Sequence, residues 1–224
     1  MPDIRVATDR RGFLGGVAVL GAVAGLAERP GAAAAAGSAD AIAAGFAKWL
    51  DAIGGKHRQV FDAPEPNGGM ALISSFVFLL TGPAAYAVPE SDLGVVVVLR
   101  HNAIPIALDD ALWSKYKLGE AFKIMDPANN APATRNFFVG GKPGDLVIAD
   151  AAIDRLVKRG VRFGVCGAAI AVFSGIAAKR MGLSPDQVHM EWIAGVLPGV
   201  QVVPSGVVAV NGAQARGCSY CFAG

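Results

Sequence analysis

Leu93-Gly94-Val95-Val96-Val97-Val98-Leu99 contains no polar side chain. A strand with one wet face alternates apolar and polar residues. Four valines in a row suit a strand covered on both faces, which is what a parallel sheet between two helix layers provides. Toward the C-terminus, Asp109–Ile124 reads as a helix capped by Asp109 or Asp110, and 126–136 as a loop. Residues 149–159 read as an amphipathic helix ending at Gly160. Val161–Val165 is a strand with Cys166-Gly167 at its end, and Ala168–Met181 a helix closed by Gly182. Ser184-Pro185-Asp186 opens another helix. Val200–Val203 reads as a short strand, Ser205–Arg216 as a helix and Cys218–Phe222 as a last edge strand. Toward the N-terminus, Met70–Leu80 is a buried helix, 64–69 a loop, 56–63 the first strand and 40–53 a helix. This alternation predicts a Rossmann-like α/β fold, a three-layer sandwich with a mostly parallel central sheet.

Composition narrows the function classes. The 224 residues are 53% hydrophobic and 17% charged, with mean hydropathy +0.45; a disordered chain has the opposite balance. A net charge of +2 gives no basic footprint for nucleic acid. Three cysteines are too few for a disulfide scaffold. Beyond the N-terminal segment no membrane span is expected.

That N-terminal segment reads as an address. Arg10-Arg11 precedes an uncharged stretch from Gly12 to Ala27, and Ala34-Ala35-Ala36 offers a cleavage site. Thr8-Asp9-Arg10-Arg11-Gly12-Phe13-Leu14 resembles a twin-arginine export signal. The expectation is a signal over residues 1–36, one domain over 37–224, and a periplasmic or otherwise exported protein free of the membrane after cleavage.

Chemistry is expected at the strand ends, because ligands of open parallel sheets bind beyond the carboxyl ends of the strands. Cys166 is the candidate nucleophile. It falls where a strand ends and a helix begins, and a helix N-terminus favours a thiolate. The alternative is a buried core cysteine. Gly167 leaves room for a sulfur species. His101 and Asn102, at the end of the valine strand, are candidate ligand-binding residues, with structural hydrogen bonding and a turn as their alternatives. Asn129 and Asn130 lie in a loop that could cover this edge. Cys218 and Cys221 form a CxxC that reads as a redox pair or as two cysteines on a terminal strand. His57 and His189 have no metal-ligand spacing with each other or with the cysteines, so no metal site and no cofactor are implied.

Leu156–Gly167 (LVKRGVRFGVCG), an amphipathic helix, a Gly-Val turn and a strand closing on cysteine, resembles the DsrE/DsrF-like sulfur-relay family. Leu197–Gly217 followed by CSYC, a Gly-Val strand, a Pro-Ser-Gly turn, a helix and a last short strand, resembles the end of exported members. The likeness runs over residues 91–222. It implies an α/β sandwich assembling as a homotrimer or hexamer, with a persulfide carried on the cysteine matching Cys166 and a thiol partner protein. As an enzyme it would be sulfurtransferase-like. The alternatives are a non-catalytic oligomeric binding module of the same fold, and a periplasmic thiol-disulfide protein using Cys218 and Cys221.

Overall fold

The computed structural model describes residues 44–224; the export-signal reading and the start of the first helix lie outside the described residues. Residues 44–51 form helix α1. The chain then runs β1 (His57–Ala63), α2 (Met70–Tyr86), β2 (Leu93–Leu99), α3 (Asp110–Tyr116) and α4 (Leu118–Ala121). It continues through α5 (Ile153–Lys158), β3 (Arg162–Cys166), α6 (Gly167–Met181), α7 (Pro185–Ala194), β4 (Val200–Val203), α8 (Gly206–Ala215) and β5 (Ser219–Phe222). The five strands form one sheet in the order β4-β3-β2-β1-β5, and every pairing is parallel.

The valine run is central because it is apolar on both faces. All seven residues of β2 are buried. Val95, Val97 and Leu99 join Phe61, Phe163 and Val165 under α2, α3, α6 and α7. Val96 and Val98 join Val60 and Val203 against Trp49 and Leu50 of α1 and Ala209 and Ala213 of α8. Burying each valine contributes roughly 1.5–2 kcal/mol relative to leaving it exposed.

The sheet order follows from which face each crossover takes. From β1 to β4 the chain steps one strand at a time in one direction, and right-handed crossovers put those helices on one face. From β4 it returns across the whole sheet through α8, on the other face, and lays β5 beside β1. The exits of adjacent β3 and β4 therefore diverge, through α6 to one face and α8 to the other. That divergence is the topological switch point of the sheet, at the carboxyl ends of this strand pair.

Three expectations are corrected. The helix over 109–124 is two helices. Asp109 caps the first by accepting from the Leu112 amide at 2.9 Å, and Lys117 breaks it with a left-handed φ of 49°. The segment 149–159 opens with a 3-10 turn at 149–151 and becomes α-helical only at Ile153. The buried helix expected over Met70–Leu80 runs on to Tyr86 and exposes Met70, Val77 and Leu80, and the stretch Asn67–Tyr86, with hydropathy 1.5, is long and apolar enough to cross a membrane by length and composition. Here α2 packs on β1 and β2, with Ala71, Leu72 and Leu79 buried.

Candidate functional site

Cys166 ends β3, where it pairs with Val203 of β4, and it is also the N-cap of α6. Its Sγ accepts a hydrogen bond from the Ala169 amide at 3.3 Å, satisfying one of the first-turn donors that a helix leaves open. Beside it the Ala168 amide donates to the Pro204 carbonyl at 3.2 Å, tying the start of α6 to the β4 exit. Gly167 permits that approach, because a Cβ there would stand 3.0 Å from the Val203 carbonyl oxygen. Cys166 is buried, 6% exposed. The reading of Cys166 at a strand end and helix start therefore describes its position in the structure.

The other anticipated residues diverge in their surroundings. His101 adopts a left-handed φ of 52°, uncommon for a residue with a side chain. Its exposed ring stands edge-on to Phe173, with centroids 5.9 Å apart. Among the described residues no hydrogen bond joins it to Cys166. Asn102 gives its side-chain amide to both carboxylate oxygens of Glu65, at 2.9 and 3.0 Å, while its backbone amide donates to the Pro64 carbonyl. The amide is engaged in holding the β1 and β2 exits together. Asn129 and Asn130 close a turn with Asp126. His57 stacks on Tyr86 at 4.1 Å, and His189 Nδ1 lies 3.4 Å from Ser174 Oγ.

Cys218 and Cys221 do not form a pair. Cys218 is buried with the α1 and α8 cluster, whereas Cys221 packs toward the opposite core. Both are free thiols. Burial pushes the Cys218 thiol above its ordinary range, against a smaller opposing pull from Arg58.

The charged residues of the site belong to no sequence motif. Arg100 follows Leu99, and Leu99 pairs with Val165, so Arg100 and Cys166 are the next residues along adjacent strands. The Arg100 guanidinium donates from Nε to Asp62 Oδ1 at 2.7 Å and from Nη2 to Asp62 Oδ2 at 3.0 Å. Tyr220 of β5, between Cys218 and Cys221, donates its hydroxyl to the same Asp62 Oδ2 at 3.0 Å. Asp62 is 4% exposed. The hydrogen bond to Asp62 first, and then the fields of Asp62, Tyr220 and Cys166, hold Arg100 more firmly protonated against the pull of burial. Burial first, then Asp62, raises the Tyr220 phenol. A signal for the pair existed in the sequence. Asp62 interrupts an otherwise apolar strand end, and a buried carboxylate requires a partner.

Two cavities of about 390 and 530 Å³ open at the other edge of the sheet, lined by residues at the amino ends of the strands, such as Gly55, Leu93, Gly160 and Gly199. They are remote from Cys166. Among the described residues no group of three or more His, Cys, Asp or Glu side chains could hold a metal ion.

The chain is an α/β protein with an all-parallel five-stranded sheet flanked by helices, and a cysteine at the carboxyl edge of that sheet. No protein-family model, no curated protein and no solved structure matches it.

Proposed function

We propose that this is an exported protein of the DsrE/DsrF-like kind that binds or transfers sulfane sulfur as a persulfide on Cys166. The observation that carries the reading is the position of that thiol: at the diverging β3 and β4 exits, on the N-cap of α6, with its sulfur accepting the Ala169 amide. First-turn amides are a fixed source of positive potential, and here one of them points at the sulfur that would carry the transferred atom.

The step balances without an external oxidant. The Cys166 thiolate attacks the outer sulfur of a small persulfide R–S–SH. A Cys166 S–S bond forms, the donor's S–S bond breaks, and its electron pair leaves on RS⁻. The outer sulfur keeps its proton and becomes the terminal sulfur of Cys166–S–SH. Attack on that sulfur by an acceptor thiolate returns the Cys166 thiolate and passes the sulfur on.

The test is mass spectrometry of the purified protein after incubation with a low-molecular-mass persulfide. A gain of one sulfur on the Cys166 peptide, lost in Cys166→Ser, supports the reading. Full loading of Cys166→Ser, or wild-type loading only on Cys218 or Cys221, overturns it.

The burial of Cys166 favours a second reading, a non-catalytic binding module of the same fold. Slow alkylation of native Cys166 near neutral pH, on the timescale of unfolding, would select it. Both readings include a homo-oligomer. The support is α2, which carries no charged side chain and exposes Met70, Val77 and Leu80. Light scattering at micromolar concentration that gives the monomer mass would count against assembly.

A further inference from the structure

The CSYC stretch draws attention to its cysteines, yet the residue that reaches the carboxyl edge is the tyrosine between them. Tyr220 bonds Asp62, and Asp62 in turn grips Arg100 at two points. Asp62 comes from β1, Arg100 from the end of β2 and Tyr220 from β5. β3, which ends in Cys166, lies on the other side of β2.

The orientation of the guanidinium follows from these bonds. Nε and Nη2 face Asp62, and among the described residues no hydrogen bond uses Nη1. An Arg–Asp pair carries no net charge but is a strong dipole, positive on the side away from the carboxylate. The Arg100 stem is fixed as well, since a Cβ on Gly206 would stand 2.5 Å from the Arg100 Cβ. Arg100 and Cys166 follow the Leu99–Val165 pair on neighbouring strands, whose spacing is about 4.8 Å. The side chain is about three-quarters buried, which weakens solvent screening.

We infer that the Asp62–Arg100–Tyr220 unit holds a cation beside Cys166 and makes that cysteine selective for anionic sulfur species. The inference rests on the sulfur-carrier reading for its chemistry. Arg100 is a positioning residue in this account, and Asp62 and Tyr220 orient it. The substrate class that fits is a small anion carrying sulfane sulfur, such as a hydropolysulfide, in preference to a neutral organic persulfide. The same field acts on the negative charge that passes from Cys166 to the leaving sulfur during transfer.

The experiment is competitive alkylation of the purified protein with iodoacetate and iodoacetamide, read peptide by peptide. The two reagents are similar in size and differ in charge, so their rate ratio at Cys166 reports local potential independently of accessibility and of sulfur loading. Cys221 is the internal reference. The expected result is a ratio favouring iodoacetate at Cys166. It falls about tenfold in Arg100→Gln, stays within about threefold in Arg100→Lys, and falls about twofold in Tyr220→Phe. Because the pair is largely buried, salt lowers the wild-type ratio only modestly, and Arg100→Lys with Tyr220→Phe decides the matter should Arg100→Gln fail to fold. A ratio equal to that of Cys221 and indifferent to Arg100 and to Tyr220 overturns the inference. Sulfur loading with such an indifferent ratio refutes this inference alone. An Arg100-dependent ratio without any sulfur loading refutes the carrier reading.

Discussion

Arg100 and Asp62 form a two-point ion pair at the carboxyl ends of β2 and β1, with bonds of 2.7 and 3.0 Å, and Asp62 is almost wholly buried. The pair joins two strands that the parallel ladder already aligns. It also sets the position of a guanidinium one strand away from Cys166.

Removing the cation should be costly. Arg100→Ala leaves the Asp62 carboxylate buried with only the Tyr220 hydroxyl as partner. A broken buried pair destabilises by about 3–5 kcal/mol, and residual solvent access at Arg100 brings the expected loss to about 2–4 kcal/mol. Urea unfolding with an unchanged m-value would report it directly. A loss under about 0.5 kcal/mol would show that water replaces the guanidinium without penalty.

Acid should act through a different pair. Arg135 donates to both oxygens of the buried Asp145, at 2.8 and 2.6 Å. This hydrogen bonding, against the opposing effect of burial, holds the Asp145 carboxyl below its ordinary value of 3.8. A carboxyl depressed in the folded state contributes stability that is present above its unfolded pKa. That contribution disappears as the pH falls through the folded one. Stability should therefore drop below about pH 4. Asp145→Asn should flatten that part of the pH–stability curve, and a parallel curve for the variant would refute the assignment.

The terminal cysteines should remain unpaired. They face opposite cores, and three strand steps separate their Cα atoms by about 10 Å, beyond the roughly 7 Å a disulfide can span. Cys221 is the more accessible thiol, and burial raises the Cys218 thiol. In the native protein Cys221 should alkylate before Cys218. Non-reducing peptide mapping that recovers a Cys218–Cys221 bridge would require the tail to leave the sheet.

Lys117 offers a stabilising change. Its φ of 49° is strained for a residue with a Cβ and natural for glycine. Lys117→Gly should raise the melting temperature, with a gain of up to about 1 kcal/mol, relief of strain outweighing the added freedom of the unfolded chain. A lower melting temperature would mean that the Lys117 side chain contributes more than its backbone strain removes.

Local pattern made much of the fold readable. The valine run announced a doubly covered strand, and β2 spans the seven residues quoted for it. Strand–Cys–Gly–helix placed Cys166 at a strand end. Gly182 closes α6 with a left-handed φ of 67°, as its position suggested. The break at Lys117 was hidden because the flanking residues, Trp113, Tyr116 and Leu118, are all good core residues. Packing them demanded a change of direction that no single residue signals. The engagement of the Asn102 amide is not legible locally, because Glu65, its partner, lies 37 positions away.

The order of elements, the cover on both faces of the valine strand and the strand-end cysteine were determined by the sequence itself. Each depends on interactions among residues near in the chain: alternation, capping and turn chemistry. The tertiary structure decided the rest. The return of the chain on the opposite face put β5 beside β1, and only then could Tyr220 meet Asp62, 158 positions earlier. The same sheet order brought Arg100 beside Cys166, across 66 positions that no local pattern spans. A charged group's partner is chosen by where the backbone brings it, because desolvation makes an unpartnered buried charge untenable wherever it sits.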